Sequence, residues 1–193
     1  ENGETYLKTP EGDMPIEIFG EHNLNNLAGA KWICQHMGID EEDFYEAIAT
    51  FSGASKRLEK ICDVRGTLAY KDFAHSPSKV KATTKAVKEQ FPKKQLVACL
   101  ELHTYSSLDT KFLQQYEKTL AAADEAIVFY SPEAVRLKKL QEIDATQIEE
   151  AFQHKNLKVY TNPQLFQNYL KTGSFANAVI LFMSSGNYGG LDF

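Results

Sequence analysis

From residue 95 onward, short apolar runs alternate with stretches whose apolar residues recur at helical spacing. The runs are Gln95 to Leu100, Ala126 to Tyr130, Leu157 to Tyr160 and Ala178 to Met183. Between them, residues of about Thr110 to Ala122, Thr146 to Gln153 and Pro163 to Leu170 read as helices. Runs this short and this apolar suit strands buried on both faces, and strands joined through helices lie parallel. The chain is therefore expected to form a largely parallel sheet flanked by helices, with its ligands beyond the carboxyl ends of the strands.

The earlier residues have a different rhythm. Residues 1 to 20 alternate loosely around Pro10, Gly12 and Pro15, as in Thr5-Tyr6-Leu7 and Ile16-Glu17-Ile18-Phe19, and predict two short strands about a turn. A helix carrying Leu24, Leu27, Ala30, Cys34 and Met37 follows, ended by Gly38. A second helix after Asp40 places Phe44, Ala47, Ile48 and Phe51 on one side. Ser52-Gly53-Ala54-Ser55 reads as a hinge. Beyond it come two strands around the turn at Asp63 to Gly66, and a helix after Ser78 with Val80, Thr84, Val87 and Phe91 on one face. The expected division is thus residues 1–52 as the end of one domain and residues 53–193 as a Rossmann-like α/β domain.

Composition narrows the function classes. At 193 residues the chain can bury a sizeable core. A net charge of -5 gives no electrostatic reason to expect nucleic acid or an anionic membrane as partner. The longest apolar run, Ala178 to Met183, is far short of a membrane helix. Cys34, Cys62 and Cys99 are odd in number and widely spaced, so they suggest neither a disulfide framework nor a metal site but small core residues in a reduced, cytoplasmic protein. No signal-peptide pattern is present, and a start at Glu1 rather than Met suggests a piece of a longer protein.

Four clusters carry candidate chemistry. In Gly20-Glu21-His22-Asn23-Leu24-Asn25-Asn26, Asn23 suits either a helix cap or a ligand contact, whereas Asn26, one turn in, suits a hydrogen bond to a base edge. Arg57, beside the hinge, is either a solvated charge or a planar fork for a phosphate. In Asp72-Phe73-Ala74-His75-Ser76-Pro77, Asp72 can accept two hydrogen bonds, as a ribose diol requires, and His75 can orient or deprotonate a reactant; capping of the next helix by Asp72 or Ser76 is the rival reading. Two further strand ends, Glu101 to Ser106 and Ser184 to Gly190, bring hydroxyls and close-approach glycines to the same edge, though a Gly-rich tail alone would read the same way. Neither a dinucleotide fingerprint nor a P-loop occurs.

The order of these clusters is more specific than any one of them. Gly-x-His-Asn-x-x-Asn before a helix, Phe51-x-Gly53, Arg57-x-Glu59 and Asp72-Phe73-Ala74-His75-x-Pro77 together resemble the Mur ligase family across about residues 16 to 80. The His103-Thr104-Tyr105-Ser106 loop and the Gly-rich terminus extend the resemblance over most of the remainder. The stronger likeness is to the branch that joins L-alanyl-γ-D-glutamyl-meso-diaminopimelate to UDP-N-acetylmuramate, with the L-alanine-adding branch as near relative.

The resemblance implies an ADP-forming ligase of peptidoglycan synthesis or recycling, important for cell shape and division. It works through an acyl phosphate, with ATP and Mg2+ bound mainly by an upstream part. On this map residues 1–52 are the tail of the central ATP-binding domain and residues 53–193 the C-terminal domain. The N-terminal domain and the rest of the central domain are the missing partners. Carried over by motif, His22, Asn23, Asn26, Arg57 and Asp72 bind ATP, and His75 is the catalytic candidate. His103, Thr104, Tyr105, Ser185 and Asn187 bind the incoming amino acid or muramyl tripeptide, and no residue here is expected to ligate metal. Thr104 and Ser107 stand where L-alanine-adding members carry basic residues, which favours the peptide. The chain also lacks the Asp-Asn-Pro-Arg motif of the diaminopimelate-adding branch. Three alternatives are weighed: the L-alanine-adding ligase, a non-catalytic Rossmann-like binding module, and the related folylpolyglutamate synthases, against which the Asp72 to Pro77 and His103 to Ser106 clusters speak. Alone, this chain is expected to bind ATP weakly and to make no amide bond.

Overall fold

The computed structural model describes residues 3–191. Strands β1 (Thr5–Thr9) and β2 (Gly12–Ile16) form an antiparallel pair. Helices α1 (Glu21–His36) and α2 (Glu41–Ala49) follow, and Ile16, Leu27 and Phe44 make a small core among them. The Asp40 carboxylate caps α2 by accepting the Asp43 N–H at 2.9 Å.

The larger unit contains β3 (Glu59–Val64), β4 (Thr67–Asp72), α3 (Pro77–Gln90), β5 (Gln95–Leu102), β6 (Glu125–Tyr130), α4 (Pro132–Leu137), α5 (Ala145–Phe152), β7 (Leu157–Tyr160), α6 (Pro163–Thr172) and β8 (Ala178–Met183). Its six strands lie in the order β3-β4-β8-β5-β6-β7. Only β3 and β4 run antiparallel; every other neighbouring pair is parallel. Arg65 and Gly66, both at positive φ, form the two-residue turn of the β3–β4 hairpin, the conformation that matches strand twist.

Alternate residues of the central strands face opposite layers, and both layers are apolar. Leu96, Ala98, Leu100, Val128 and Leu181 pack with Val80 and Val87 of α3 and Ile148 and Phe152 of α5. Val97, Cys99, Ile127, Phe129 and Phe182 pack with Phe166 of α6 and with Tyr188. Double-sided burial is why these strands read as continuous apolar runs. The smaller unit meets this core through Phe19, edge-on to Tyr70 at 5.5 Å and to Phe91 at 5.8 Å. Among the described residues no helix is long and apolar enough to cross a membrane.

The structure corrects four local expectations. The helix predicted over about Thr110 to Ala122 is a single 3-10 turn at Leu113–Tyr116 among hydrogen-bonded turns. The second early strand runs over Gly12–Ile16, not Ile16 to Phe19. Asn23 does not cap α1; Gly20 holds that position, and Asn23 lies inside the first turn. Neither Asp72 nor Ser76 caps α3 through its side chain, although Ser76 occupies the cap position. The short helix α4 was not foreseen.

Candidate functional site

The carboxyl end of β4 and the segment before β3 meet at one edge of the sheet, because the two strands are antiparallel. Segment 52–58 is bound to that edge. Phe73 donates its N–H to the Lys56 carbonyl at 2.8 Å. The Asp72 carboxylate accepts from Leu58 N at 2.9 Å and from Ala74 N at 2.7 Å. Asp72 is 4% exposed, so both backbone donors would be unpaired without it. Lys56 and Leu58 take positive φ, and the Glu59 carboxylate secures the bend by accepting from Lys56 N and Ser55 Oγ. Those bonds hold the Glu59 carboxyl below the usual glutamate range, led by the Lys56 N–H and then the Ser55 hydroxyl.

Between this edge, the first turns of α3 and the inner face of α1 lies a cavity of about 680 Å³. His22, Asn23, Asn26, Arg57 and Asp72 all line it, as do Lys79 and Thr83 of α3. Positions 22, 23, 26 and 30 reach it together because they share one face of α1. Asn23 donates its side-chain N–H to the Phe19 carbonyl at 3.1 Å, leaving its amide oxygen available. The Arg57 guanidinium is exposed, 6.0 Å from the centre of the Phe73 ring.

His75 lies at the same strand end but does not line the cavity. Its Nδ1 is 2.8 Å from the Phe73 carbonyl, an acceptor, so Nδ1 carries the hydrogen and Nε2 is the basic nitrogen of the neutral ring. Tyr116 donates its hydroxyl to the His75 carbonyl at 2.5 Å, fixing the backbone there. Burial pushes the Tyr116 phenol up to about 12, so it remains a donor at neutral pH.

The ends of β5 and β8, adjacent in the sheet, form a second group. Thr104 Oγ1 accepts from Ser107 N at 3.1 Å and knits its own turn with Ser106 and Ser107. Tyr105 is exposed, with Lys138 Nζ 4.5 Å from its ring centre, and it borders a shallow depression shared with Lys111 and Phe112. Asn187 Oδ1 accepts from Gly190 N at 3.1 Å, a turn-forming role. The Ser185 hydroxyl is buried without a hydrogen-bond partner. Beneath these sits Glu101, 3% exposed, which accepts a hydrogen bond from Ser184 Oγ and has His103 Nδ1 3.8 Å from its other oxygen. Sequence reasoning quoted Glu101 without assigning it; its signal is a carboxylate in a strand otherwise apolar from Leu96 to Leu102. Five of the residues expected to act together therefore share one cavity, while the other six lie outside it.

A mostly parallel six-stranded sheet covered on both faces, with a ligand-sized cavity at its carboxyl edge, defines a Rossmann-like α/β protein. Residues 56–186 match the family profile described as Mur ligase, glutamate ligase domain. The chain belongs to the Mur ligase family. A UDP-N-acetylmuramate–L-alanine ligase of Desulfitobacterium hafniense is 25% identical over 178 residues, covering 91% of this chain and 39% of that protein. The chain thus spans about two fifths of the length of that curated relative. Among solved structures, a UDP-N-acetylmuramate–alanine ligase of Thermotoga maritima has a similar fold, with TM-score 0.69 at 19% identity over 97% of this chain and 41% of that one. A murein peptide ligase of Psychrobacter arcticus is similar at TM-score 0.57 and 20% identity, over 98% of this chain and 40% of that one.

Proposed function

We propose that the chain is the closing part of an ATP-dependent, amide-forming ligase that acts on UDP-N-acetylmuramate. On this reading residues 1–52 end a central ATP-binding domain, residues 53–193 are the C-terminal domain, and the enzyme works in the cytoplasm. The observation that carries the reading is the convergence of His22, Asn23, Asn26, Arg57 and Asp72 on one cavity.

That donor set fits a nucleotide. The cavity lies within the size range of small-molecule sites. Asn26 offers both halves of an amide to a base edge. Arg57 offers a planar cationic fork to phosphate oxygens. Asp72 has already accepted two backbone N–H groups, but each carboxylate oxygen retains a lone pair for a ribose hydroxyl. ATP would supply the phosphoryl group that activates the carboxylate. Mg2+ would be bound mainly by the remainder of the enzyme, where it would neutralise phosphate charge. His75, with Nδ1 bound to the main chain, presents Nε2 to orient the reacting groups.

His103, Thr104, Tyr105, Ser185 and Asn187 form the face for the incoming amine, at the ends of β5 and β8. The absence of basic residues at Thr104 and Ser107 supports a peptide, L-alanyl-γ-D-glutamyl-meso-diaminopimelate. The likeness to an L-alanine ligase supports L-alanine as the second reading. Offering both amines to the full-length enzyme with UDP-N-acetylmuramate and ATP, and measuring phosphate release, tests both. Faster release with the tripeptide supports the first reading and faster release with L-alanine the second. Release with neither removes the ligase proposal.

A further inference from the structure

Glu101 is a carboxylate in a strand buried from Leu96 to Leu102, near the carboxyl end where the proposed amine face lies. Removing a carboxylate from water is costly unless hydrogen bonds or a positive charge compensate. One oxygen is served by the Ser184 hydroxyl, which in turn accepts the Gly186 N–H at 2.6 Å. The other oxygen has His103 Nδ1 3.8 Å away, in ion-pair range when the ring is protonated. The His103 side chain is 45% exposed, so the imidazole lies over the buried carboxylate with access to solvent.

Position 186 keeps this arrangement tight. A Cβ there would stand 2.7 Å from Glu101 Oε2 and 2.9 Å from His103 Cγ, so only glycine lets the β8 loop close against both side chains. The buried Ser185 hydroxyl beside it, without a partner, is a spare hydrogen-bonding group at the same strand end.

We propose that Glu101 and His103 act as a carboxylate–imidazole pair that takes a proton from the ammonium group of the incoming amine, with Glu101 as the positioning residue. The inference rests on the ligase reading. An amine arrives as R–NH3+ and has no lone pair with which to attack. One N–H bond breaks, its electron pair stays on nitrogen, and the proton forms an N–H bond at His103 Nε2; nothing is oxidised or reduced. The freed lone pair is what attacks the activated carboxyl carbon. Glu101, buried beneath the ring with its oxygen 3.8 Å from Nδ1, positions the imidazole through its charge and leaves Nε2 toward the substrate. His75 is the contrasting imidazole at this sheet edge. A main-chain carbonyl holds its Nδ1, which fixes the tautomer but adds no negative charge.

The test uses the full-length enzyme and two nucleophiles, the amino-acid or peptide substrate and hydroxylamine, which is largely unprotonated at neutral pH. In Glu101→Gln and His103→Asn, kcat with the ammonium substrate falls on the order of 100-fold, the range expected for loss of acid–base assistance. Hydroxamate formation falls far less than amide formation, because hydroxylamine arrives with its lone pair already free of the ammonium proton; thermal unfolding verifies that each variant is folded. The 15N resonances of the His103 ring move in Glu101→Gln, as loss of the neighbouring carboxylate charge requires. Equal losses with both nucleophiles, or no loss with either, overturn the proposal. Wild-type enzyme that makes neither amide nor hydroxamate overturns the ligase reading instead.

Discussion

The carboxylate of Asp72 accepts the backbone N–H of Leu58 at 2.9 Å, across fourteen positions of sequence. The same side chain accepts the N–H of Ala74, so one buried group fastens the segment before β3 to the segment after β4. This residue was expected to hold a ribose, and it also builds the wall on which a ribose would rest.

The two roles separate experimentally. Asp72→Ala leaves two buried N–H groups unpaired and lowers stability by about 2–5 kcal/mol in denaturant unfolding. It also raises the apparent KM for ATP of the full-length enzyme. An unchanged unfolding midpoint removes the bracing role, and an unchanged KM removes the ribose role.

Arg57 behaves in the opposite way. Its side chain is exposed, so Arg57→Ala changes stability by no more than about 0.5 kcal/mol. The KM for ATP rises on the order of tenfold, and Arg57→Lys does not restore it, because an ammonium cannot make the paired contacts of a guanidinium. An ATP titration of the two variants decides the matter; full rescue by Lys rejects the fork assignment.

The bend at residues 55–58 is sensitive to acid. The carboxyl of Glu59 is held below its ordinary range by the Lys56 N–H and the Ser55 hydroxyl. Its contribution is therefore fully present above the ordinary glutamate range and is lost as pH falls through the lowered folded value. The Lys56 amide should exchange faster with solvent across that acid window, as followed by NMR. Glu59→Gln should remove the pH dependence, and a Lys56 amide indifferent to pH in the wild type contradicts the assignment.

Gly186→Ala places a methyl group against Glu101 and His103. Overpacking of this kind costs about 1–3 kcal/mol. Activity with the ammonium substrate should fall more than hydroxamate formation, since His103 is displaced from its carboxylate. Kinetics indistinguishable from wild type would show that the loop adjusts freely.

The sheet was legible because β5, β6 and β8 are largely apolar on both faces and too short for helices, as suits buried parallel strands. The failure at residues 110–122 shows the limit of that signal. Leu113, Tyr116 and Leu120 are all buried, so the apolar spacing was genuine. It reported burial and not a helical ladder: Lys118 takes φ 55, and its N–H bonds to the Phe152 carbonyl of α5. Helix α4 escaped notice through brevity, although its start signal was in the sequence. Ser131 precedes Pro132, and its hydroxyl accepts the Ala134 N–H.

The site was legible in its polar clusters and illegible in its supports. His22, Asn26, Arg57 and Asp72 could be grouped through the Mur ligase resemblance, and they line one cavity. That Asp72 braces Leu58, or that Glu101 lies beneath His103, depends on which strands become neighbours. Strand β8 reaches its place between β4 and β5 only after the rest of the sheet has been traced.

The contact of Phe19 with Tyr70 and Phe91 also decides where the molecule can be cut. A protein engineer working from sequence would divide it near residue 53, at the small and polar stretch Ser52-Gly53-Ala54-Ser55. That cut removes Phe19 and leaves two aromatic rings of the larger piece facing water. Such a piece is expected to keep its fold and to stick to itself, so a soluble C-terminal fragment has to begin ahead of Phe19 or carry polar replacements at the uncovered rings.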